Sequence, residues 1–331
     1  MARSRLSTAL SEGFLSLPED GDIVVIRPPV GHDLSDLPRD RTRIIHGFRP
    51  DADFWSEMGF EVARSTENAA LTIVVVPRSK RQARALVAKA ATLGGAIVVD
   101  GAKTDGVDGL FREIRSRLGE MPSITKAHGR LFAFTATAAD FADWAHEGPE
   151  KGPQGYYIQP GIFSEDGTDR GSVLLAETLP AKLGARVADL GAGWGYLAAQ
   201  VLTRDTVEQV HLVEAEADAL DCARLNITDD RAAFHWADAR DFTADQPFDT
   251  VVCNPPFHTS RKAEPSLGEA FIAAAARLLS PQGELWLVAN RHLPYEAALR
   301  EAFTTVEEAG GDSAFKIFRA ARPKRDRGRR R

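Results

Sequence analysis

Short apolar runs bounded by turn residues alternate with helical stretches along this chain. That alternation confines it to the doubly wound α/β class, a parallel sheet with helices on both faces. In the C-terminal half, 186–190, 210–214, 233–237, 249–253 and 285–289 read as buried strands. Helical stretches at 194–202, 215–226 and 267–279 lie between them. In the N-terminal half, 22–26, 43–46, 71–76 and 96–100 are similar runs, and 80–93 is an alanine-rich helix. A length of 331 residues suits two domains. The expected fold is therefore two tandem doubly wound, Rossmann-like domains.

The halves resemble each other in order. ALTIVVVPRSK (70–80) matches FDTVVCNPPFH (248–258), GGAIVVDG (94–101) matches QGELWLVAN (282–290), and GRLFAFTA (129–136) matches SAFKIFRA (313–320). This reads as an internal duplication. Only the second half has a glycine-rich loop after its first strand and Asn-Pro-Pro-Phe after its fourth. Segment 145–159, with three Gly and two Pro, reads as the linker. We expect residues 1–150 to be a degenerate copy that is structural or binds substrate. Residues 151–321 are expected to be the catalytic domain, and 322–331 a basic tail.

Composition excludes several classes. No apolar run reaches the roughly 20 residues needed to span a bilayer, and the N-terminus lacks the apolar core of a secretory signal. The two cysteines, Cys222 and Cys253, cannot make a disulfide framework or a cysteine-rich zinc site, so a cytoplasmic, metal-free protein is expected. The net charge is −6, but the last ten residues hold seven Lys/Arg and one Asp, which is +6 and leaves −12 elsewhere. Such a tail fits either a solvated end or an arm that meets RNA phosphates.

Residues 185–202 (ARVADLGAGWGYLAAQVL) read as strand, glycine loop and helix. Gly191, Gly193 and Gly195, following Asp189, let the backbone turn tightly and approach a ligand, which the helix N–H groups then face. A dinucleotide loop would want its third glycine at position 196, which is Tyr196. With Trp194 and Tyr196 crowding it, the loop suits S-adenosylmethionine better than a pyrophosphate. Glu214, which ends the second strand, can accept both ribose hydroxyls, and Asp238 after the third strand can accept from the adenine amino group.

Asn254, Pro255, Pro256 and Phe257 follow the buried fourth strand, which places them at the carboxyl edge of the sheet. Two prolines stiffen the backbone and leave its carbonyls facing outward. An arylamine nitrogen attacks poorly because its lone pair is delocalised into the ring. Hydrogen bonds accepted from it by the Asn254 oxygen and the Pro255 carbonyl localise that pair. Phe257 offers a face on which a base stacks. His258 fits either a substrate contact or a packed loop histidine, and Arg261 and Arg291 are further substrate candidates.

These residues carry a specific resemblance. GIFSEDGTDRGSVLL (161–175), DLGAGWGYL (189–197), NPPFH (254–258), LVANRHLPYEAAL (287–299) and FKIFRA (315–320) resemble the catalytic domain of RsmC-type ribosomal RNA small-subunit methyltransferases. Their close relatives include the RlmG large-subunit enzymes. The first half resembles that family's degenerate N-terminal domain in VVVPRSKRQARAL and IVVDGAKTDGV. The resemblance implies methylation of a guanine N2 in ribosomal RNA, with the RNA or the assembling subunit as partner of a monomeric enzyme. It also implies that Phe163, Asp169, Gly171 and Ser172 approach the cofactor. Two departures stand out: Trp194 in the loop, and the 259–271 segment TSRKAEPSLGEAF, which lacks an Asp-Gly pair common in the family.

Asn-Pro-Pro-aromatic also serves methyltransferases of protein glutamine and DNA adenine. Protein-glutamine enzymes carry Tyr where Phe257 stands, and their N-terminal domains are helical. A transferase half decayed into an assembly factor is opposed by Gly191, Gly193, Gly195, Glu214 and Asn254, all of which are in place.

Overall fold

The computed structural model describes residues 4–256 and 265–325. The chain divides into two compact units, Met1–Gly148 and Pro149–Arg331. In the first, the strands are β1 (Ile23–Ile26), β2 (Thr42–Ile45), β3 (Glu61–Ala63), β4 (Leu71–Val75), β5 (Ala96–Ala102), β6 (Ser123–Lys126) and β7 (Gly129–Thr135). The helices are α1 (Arg5–Ser11), α2 (Arg49–Glu57), α3 (Lys80–Leu93) and α4 (Val107–Leu118). The sheet order is β3-β2-β1-β4-β5-β7-β6. Its first five strands run parallel, and β7 is antiparallel to β5 and β6.

The second unit opens with the hairpin β8 (Glu150–Lys151) and β9 (Tyr157–Ile158). Its strands continue as β10 (Arg186–Leu190), β11 (Gln209–Glu214), β12 (Ala232–Trp236), β13 (Phe248–Cys253), β14 (Leu279–Asn290), β15 (Phe303–Gly311) and β16 (Phe315–Pro323). Its helices are α5 (Arg170–Thr178), α6 (Tyr196–Val201), α7 (Ala217–Asn226), α8 (Pro265–Leu278) and α9 (Glu296–Ala302). The order β12-β11-β10-β13-β14-β16-β15 repeats the first sheet strand for strand. The segments alike in sequence take equal places: β4 and β13, β5 and β14, β7 and β16. Both units are doubly wound α/β domains of the same Rossmann-like order.

Parallel strands covered on both faces must be apolar on both, which is why these runs lack alternation. Successive β10 residues feed opposite layers: Ala188 and Leu190 pack with α8 residues Phe271 and Ile272, whereas Val187 packs with Leu197 and Leu220. In α3, Ser79 caps the start by accepting from Gln82 N at 3.2 Å, and Gly94 at φ 82° ends it.

Two expectations change. The Pro/Gly-rich segment is more than a connector, because beyond Gly148 it forms the β8–β9 hairpin around Gly152-Pro153-Gln154-Gly155. Asn226 of α7 grips that hairpin, accepting from Tyr157 N at 2.6 Å and donating to Tyr157 O at 3.0 Å. The basic tail begins later than 322. β16 runs to Pro323, Lys324 N donates to Ala302 O at 2.8 Å, and Arg325 donates to Leu279 O. Paired main-chain and guanidinium groups hold these residues despite their charge; residues 326–331 lie outside the described residues.

Candidate active site

The site lies at the carboxyl ends of β10 and β13, hydrogen-bonded neighbours at the centre of the second sheet. After Leu190 the chain turns through Gly191, Gly193 and Gly195, with φ of 74°, 55° and 92°, into α6. Gly191 N and Ala192 N donate to Val213 O at 2.9 and 3.2 Å, which pins the loop to β11. The three glycines serve different ends. A Cβ on Gly193 would meet nothing within 4 Å, so its backbone fronts open space. On Gly195 a Cβ would lie 2.9 Å from Ile227 and 3.3 Å from Ala223, so this glycine admits α7 and not a ligand. Trp194 and Tyr196 both line the cleft at the loop, as expected, but the Trp194 ring also has a packing role. It is buried against Tyr156, ring centroids 4.7 Å apart, in a cluster with Ile158 and Ile162.

The acids occupy three distinct settings. Asp189 is fully buried under the loop and off the cleft wall. Its Oδ2 accepts from Ala198 N at 3.0 Å, bracing the first turn of α6, while its Oδ1 has no partner among the described residues. Burial pushes its pKa up to about 7, against the Ala198 bond and aided by the charge of Glu214. Glu214 accepts from Gly193 N through Oε2 and from Glu216 N through Oε1, both at 2.7 Å. Burial pushes its pKa up as well, and those bonds oppose the shift. A carboxylate has about four acceptor sites, so Glu214 keeps capacity for hydroxyl donors. Asp238 is turned to its own neighbour: Arg240 Nε donates to its Oδ2 at 2.8 Å and Arg240 N to its Oδ1 at 2.9 Å. The structure thus gathers the loop and Glu214 but places Asp238 in a local ion pair.

Opposite the loop, the start of α5 faces the end of β13. Asp169 caps α5, its Oδ2 accepting from Ser172 N at 2.8 Å. Asn254 Nδ2 donates to the same Asp169 oxygen at 2.9 Å and to Ser172 Oγ at 2.8 Å. Phe163 stands 58% exposed beside them. Phe163, Asp169, Ser172, Gly191, Gly193 and Asn254 are among the residues lining one cleft. Pro255 is buried and Pro256 exposed. Cys253 is inert in this setting, since burial raises its thiol pKa well above normal.

Phe257, His258 and Arg261 lie outside the described residues. Arg291 does not reach the cleft. Its guanidinium donates to Asp312 O at 2.8 Å, Phe315 O at 3.2 Å and Glu308 Oε1 at 2.9 Å, bracing the β15–β16 turn. The bond between Asp169 and Asn254 is one that sequence reasoning misses. Its one local signal is Asp-Arg-Gly-Ser, the pattern of a helix cap. Among the described residues no group of three or more His, Cys, Asp or Glu could hold a metal ion, and no helix is long and apolar enough to cross a membrane.

The arrangement fits an amino-acid-bearing nucleoside. Gly193 leaves backbone open to a ligand, a carboxylate with spare acceptor sites stands behind it, and a polar wall of Asp169, Ser172 and Asn254 closes the far side. Seven strands in this order, a glycine loop after the first and Asn-Pro-Pro after the fourth define a domain of the doubly wound methyltransferase class. Residues 156–319 match the family described as Methyltransferase small domain.

A ribosomal RNA small subunit methyltransferase C of Psychromonas ingrahamii is 34% identical over 48% of this chain and 46% of its own. At that identity the chain spans about half the length of the relative. A small subunit methyltransferase C of Alteromonas mediterranea is 27% identical over 94% of this chain and 97% of its own. A large subunit methyltransferase G of Aeromonas salmonicida is 32% identical over 48% of this chain and 44% of its own. The solved T. thermophilus 16S rRNA N2 guanine methyltransferase RsmC, in complex with AdoMet and guanosine, has the same fold. Its TM-score is 0.77 at 22% identity, covering 93% of this chain and 90% of that one. The chain is a relative of the RsmC- and RlmG-type methyltransferases.

Proposed function

We propose that this chain is an S-adenosylmethionine-dependent methyltransferase acting on the exocyclic N2 of a guanine in ribosomal RNA, with small-subunit 16S RNA as substrate. The observation that carries the reading is the Asn254 amide. Its NH2 end is taken up by Asp169 and Ser172, and among the described residues nothing donates to its carbonyl oxygen, which remains as an acceptor on this residue of the cleft wall. The resemblance over both units and the named relatives support the substrate class. In this reading Gly191, Gly193 and Glu214 hold the cofactor. Asp238 joins them by exchanging its Arg240 pairing for the adenine amino group.

When bound, S-adenosylmethionine supplies an electrophilic methyl group. Asn254 Oδ1 and the Pro255 carbonyl accept hydrogen bonds from the guanine amino group and turn its lone pair toward the cleft. Phe257 and exposed Phe163 offer flat faces for the base. The nitrogen's proton becomes acidic as it is alkylated, so no strong base is needed, and positioning with dipole alignment provides the rate. Residues 1–150 hold substrate or support the fold, and the enzyme acts as a monomer.

A second reading, the same chemistry on large-subunit RNA, is favoured by the match to large subunit methyltransferase G. Incubating the full chain and cofactor with each ribosomal subunit and each naked RNA, followed by mass mapping, tests both. One N2-methylguanosine in small-subunit RNA is expected. Methylation of large-subunit RNA alone selects the second reading, and methylated protein or DNA with unmodified RNA overturns both.

A further inference from the structure

Asp169 and Asn254 are separated by 85 residues, yet a carboxylate oxygen and an amide nitrogen meet at 2.9 Å on the cleft wall. A carboxylate only accepts hydrogen bonds, whereas an Asn amide has one accepting and one donating end. The carboxylate therefore decides which end of Asn254 faces it and, by exclusion, which faces the cleft. Ser172 Oγ, 2.8 Å from the same nitrogen, accepts the second N–H.

Three features hold the carboxylate in this pose. Its Oδ2 is tied to Ser172 N at the start of the nine-residue α5. The Asp169 backbone sits at φ −64° and ψ 133°, the extended conformation of a capping residue. Gly171 leaves the space free: a Cβ there would lie 3.0 Å from Asp169 Oδ2 and 3.1 Å from the Phe315 ring. A glycine in a helix's first turn has lower helix propensity than alanine, and here its lack of a side chain accommodates the acid.

We propose that Asp169 is a positioning residue. With Ser172 it locks the Asn254 amide so that its oxygen faces the amino group to be methylated and its NH2 faces away. Without the lock the amide has two orientations, and the flipped one points two donors at a substrate that is itself a donor. The proposal rests on the reading that Asn254 accepts from that amino group.

The test is a double-mutant cycle in the full chain with Asp169→Ser and Asn254→Ala. Serine still caps a helix but is too short to reach Asn254, so the cap survives while the lock is lost. Asp169→Ser is expected to lower kcat roughly 10- to 100-fold, the scale of one charge-assisted hydrogen bond, with cofactor Kd within about threefold. Added to Asn254→Ala, it should lower turnover no further. In the parent without substrate, the Asn254 side-chain NH2 signals in a nitrogen–proton correlation spectrum should be shifted and slow to exchange. In Asp169→Ser they should move toward exposed values.

Asp169→Asn keeps both an acceptor and the cap, and its turnover should lie between parent and Asp169→Ser. An equal loss on both Asn254 backgrounds, or a large rise in cofactor Kd, makes Asp169 a cofactor ligand or a purely structural cap and overturns the proposal. Parental turnover in Asp169→Ser with unmoved amide signals overturns it while leaving the function standing. Parental turnover in Asn254→Ala sinks the underlying reading itself.

Discussion

The two units share one strand order and differ at one corner. In the first, β1 passes into Arg27-Pro28-Pro29-Val30-Gly31, and Arg27 N donates to Ile45 O at 2.9 Å, as Gly191 N does to Val213 O. There the likeness stops. Two prolines remove N–H donors, the Pro28 carbonyl accepts from buried Trp55 at 2.7 Å, and Val30 N donates to Asp51 at 3.0 Å. His46 follows β2 at the register position of Glu214. Its Nδ1 accepts from Phe48 N at 3.1 Å, as Glu214 accepts from the amide two residues on. The imidazole keeps the backbone half of the acid's work and offers no carboxylate to a ribose. Burial pushes its pKa down to about 3, so it stays neutral. The core residues keep the fold, and a handful of loop residues make the difference between the two corners.

The comparison breaks most visibly if the cleft works without Asn254. Asn254→Ala should lower turnover about 10²- to 10³-fold, the scale for removing one preorganised polar group, while cofactor affinity stays within a few-fold. Single-turnover kinetics and calorimetry on the same preparation separate the two effects.

Giving the second unit a feature of the first should abolish its nucleoside corner. In Gly193→Pro the ring demands a φ of about −65°, the wrong sign for this turn, and removes the N–H that Glu214 accepts. No cofactor binding is expected by calorimetry, with stability down by about 3 kcal/mol in denaturant titration. Glu214→Ala should cost about 1.5–3 kcal/mol of cofactor affinity. Parental affinity in that variant would remove Glu214 from the corner.

The two units should respond to acid in the same direction. His46 in the first is held down to about 3 by burial. In the second, His211 is held down to about 4 by burial and by stacked His235, rings 5.1 Å apart. The unfolded chain binds these protons below about 6.5 and the folded chain does not, so it is the unfolded state that acid favours. The stability contribution is whole above the unfolded histidine pKa and is lost as pH falls toward about 4 and then about 3. Asp189 and Glu214, raised by burial, pull the opposite way over this window, so the readout is the difference between variants. In urea titrations at pH 7, 5 and 4, His46→Asn should lose less stability on acidification than the parent, and parallel profiles contradict neutral burial of His46.

The smallest effect is expected at the basic end, which has no counterpart in the first unit. Deleting residues 326–331, four Arg and one Asp, should reduce the salt slope of RNA affinity by about one to three without changing the base methylated. Equal slopes for the two proteins would leave these residues outside RNA binding.

What the sequence determines by itself is local or periodic. Strands buried on both faces must be apolar throughout, so β10, β13 and their counterparts are legible as runs. The glycine loop and Asn-Pro-Pro are legible because their chemistry lies within a few consecutive residues. Only the tertiary structure decides which side chains share the cleft. Asp169 meets Asn254 because the sheet sets β13 beside β10 and α5 opposite that edge, and no spacing along the chain encodes that meeting. The same holds for the choice of partners: Asp238 turns to Arg240, Arg291 braces a turn, Gly195 yields to Ile227, and Arg325 reaches Leu279. Polar side chains and glycines take their roles from whatever packing brings within hydrogen-bonding or van der Waals reach, and that is a property of the folded chain.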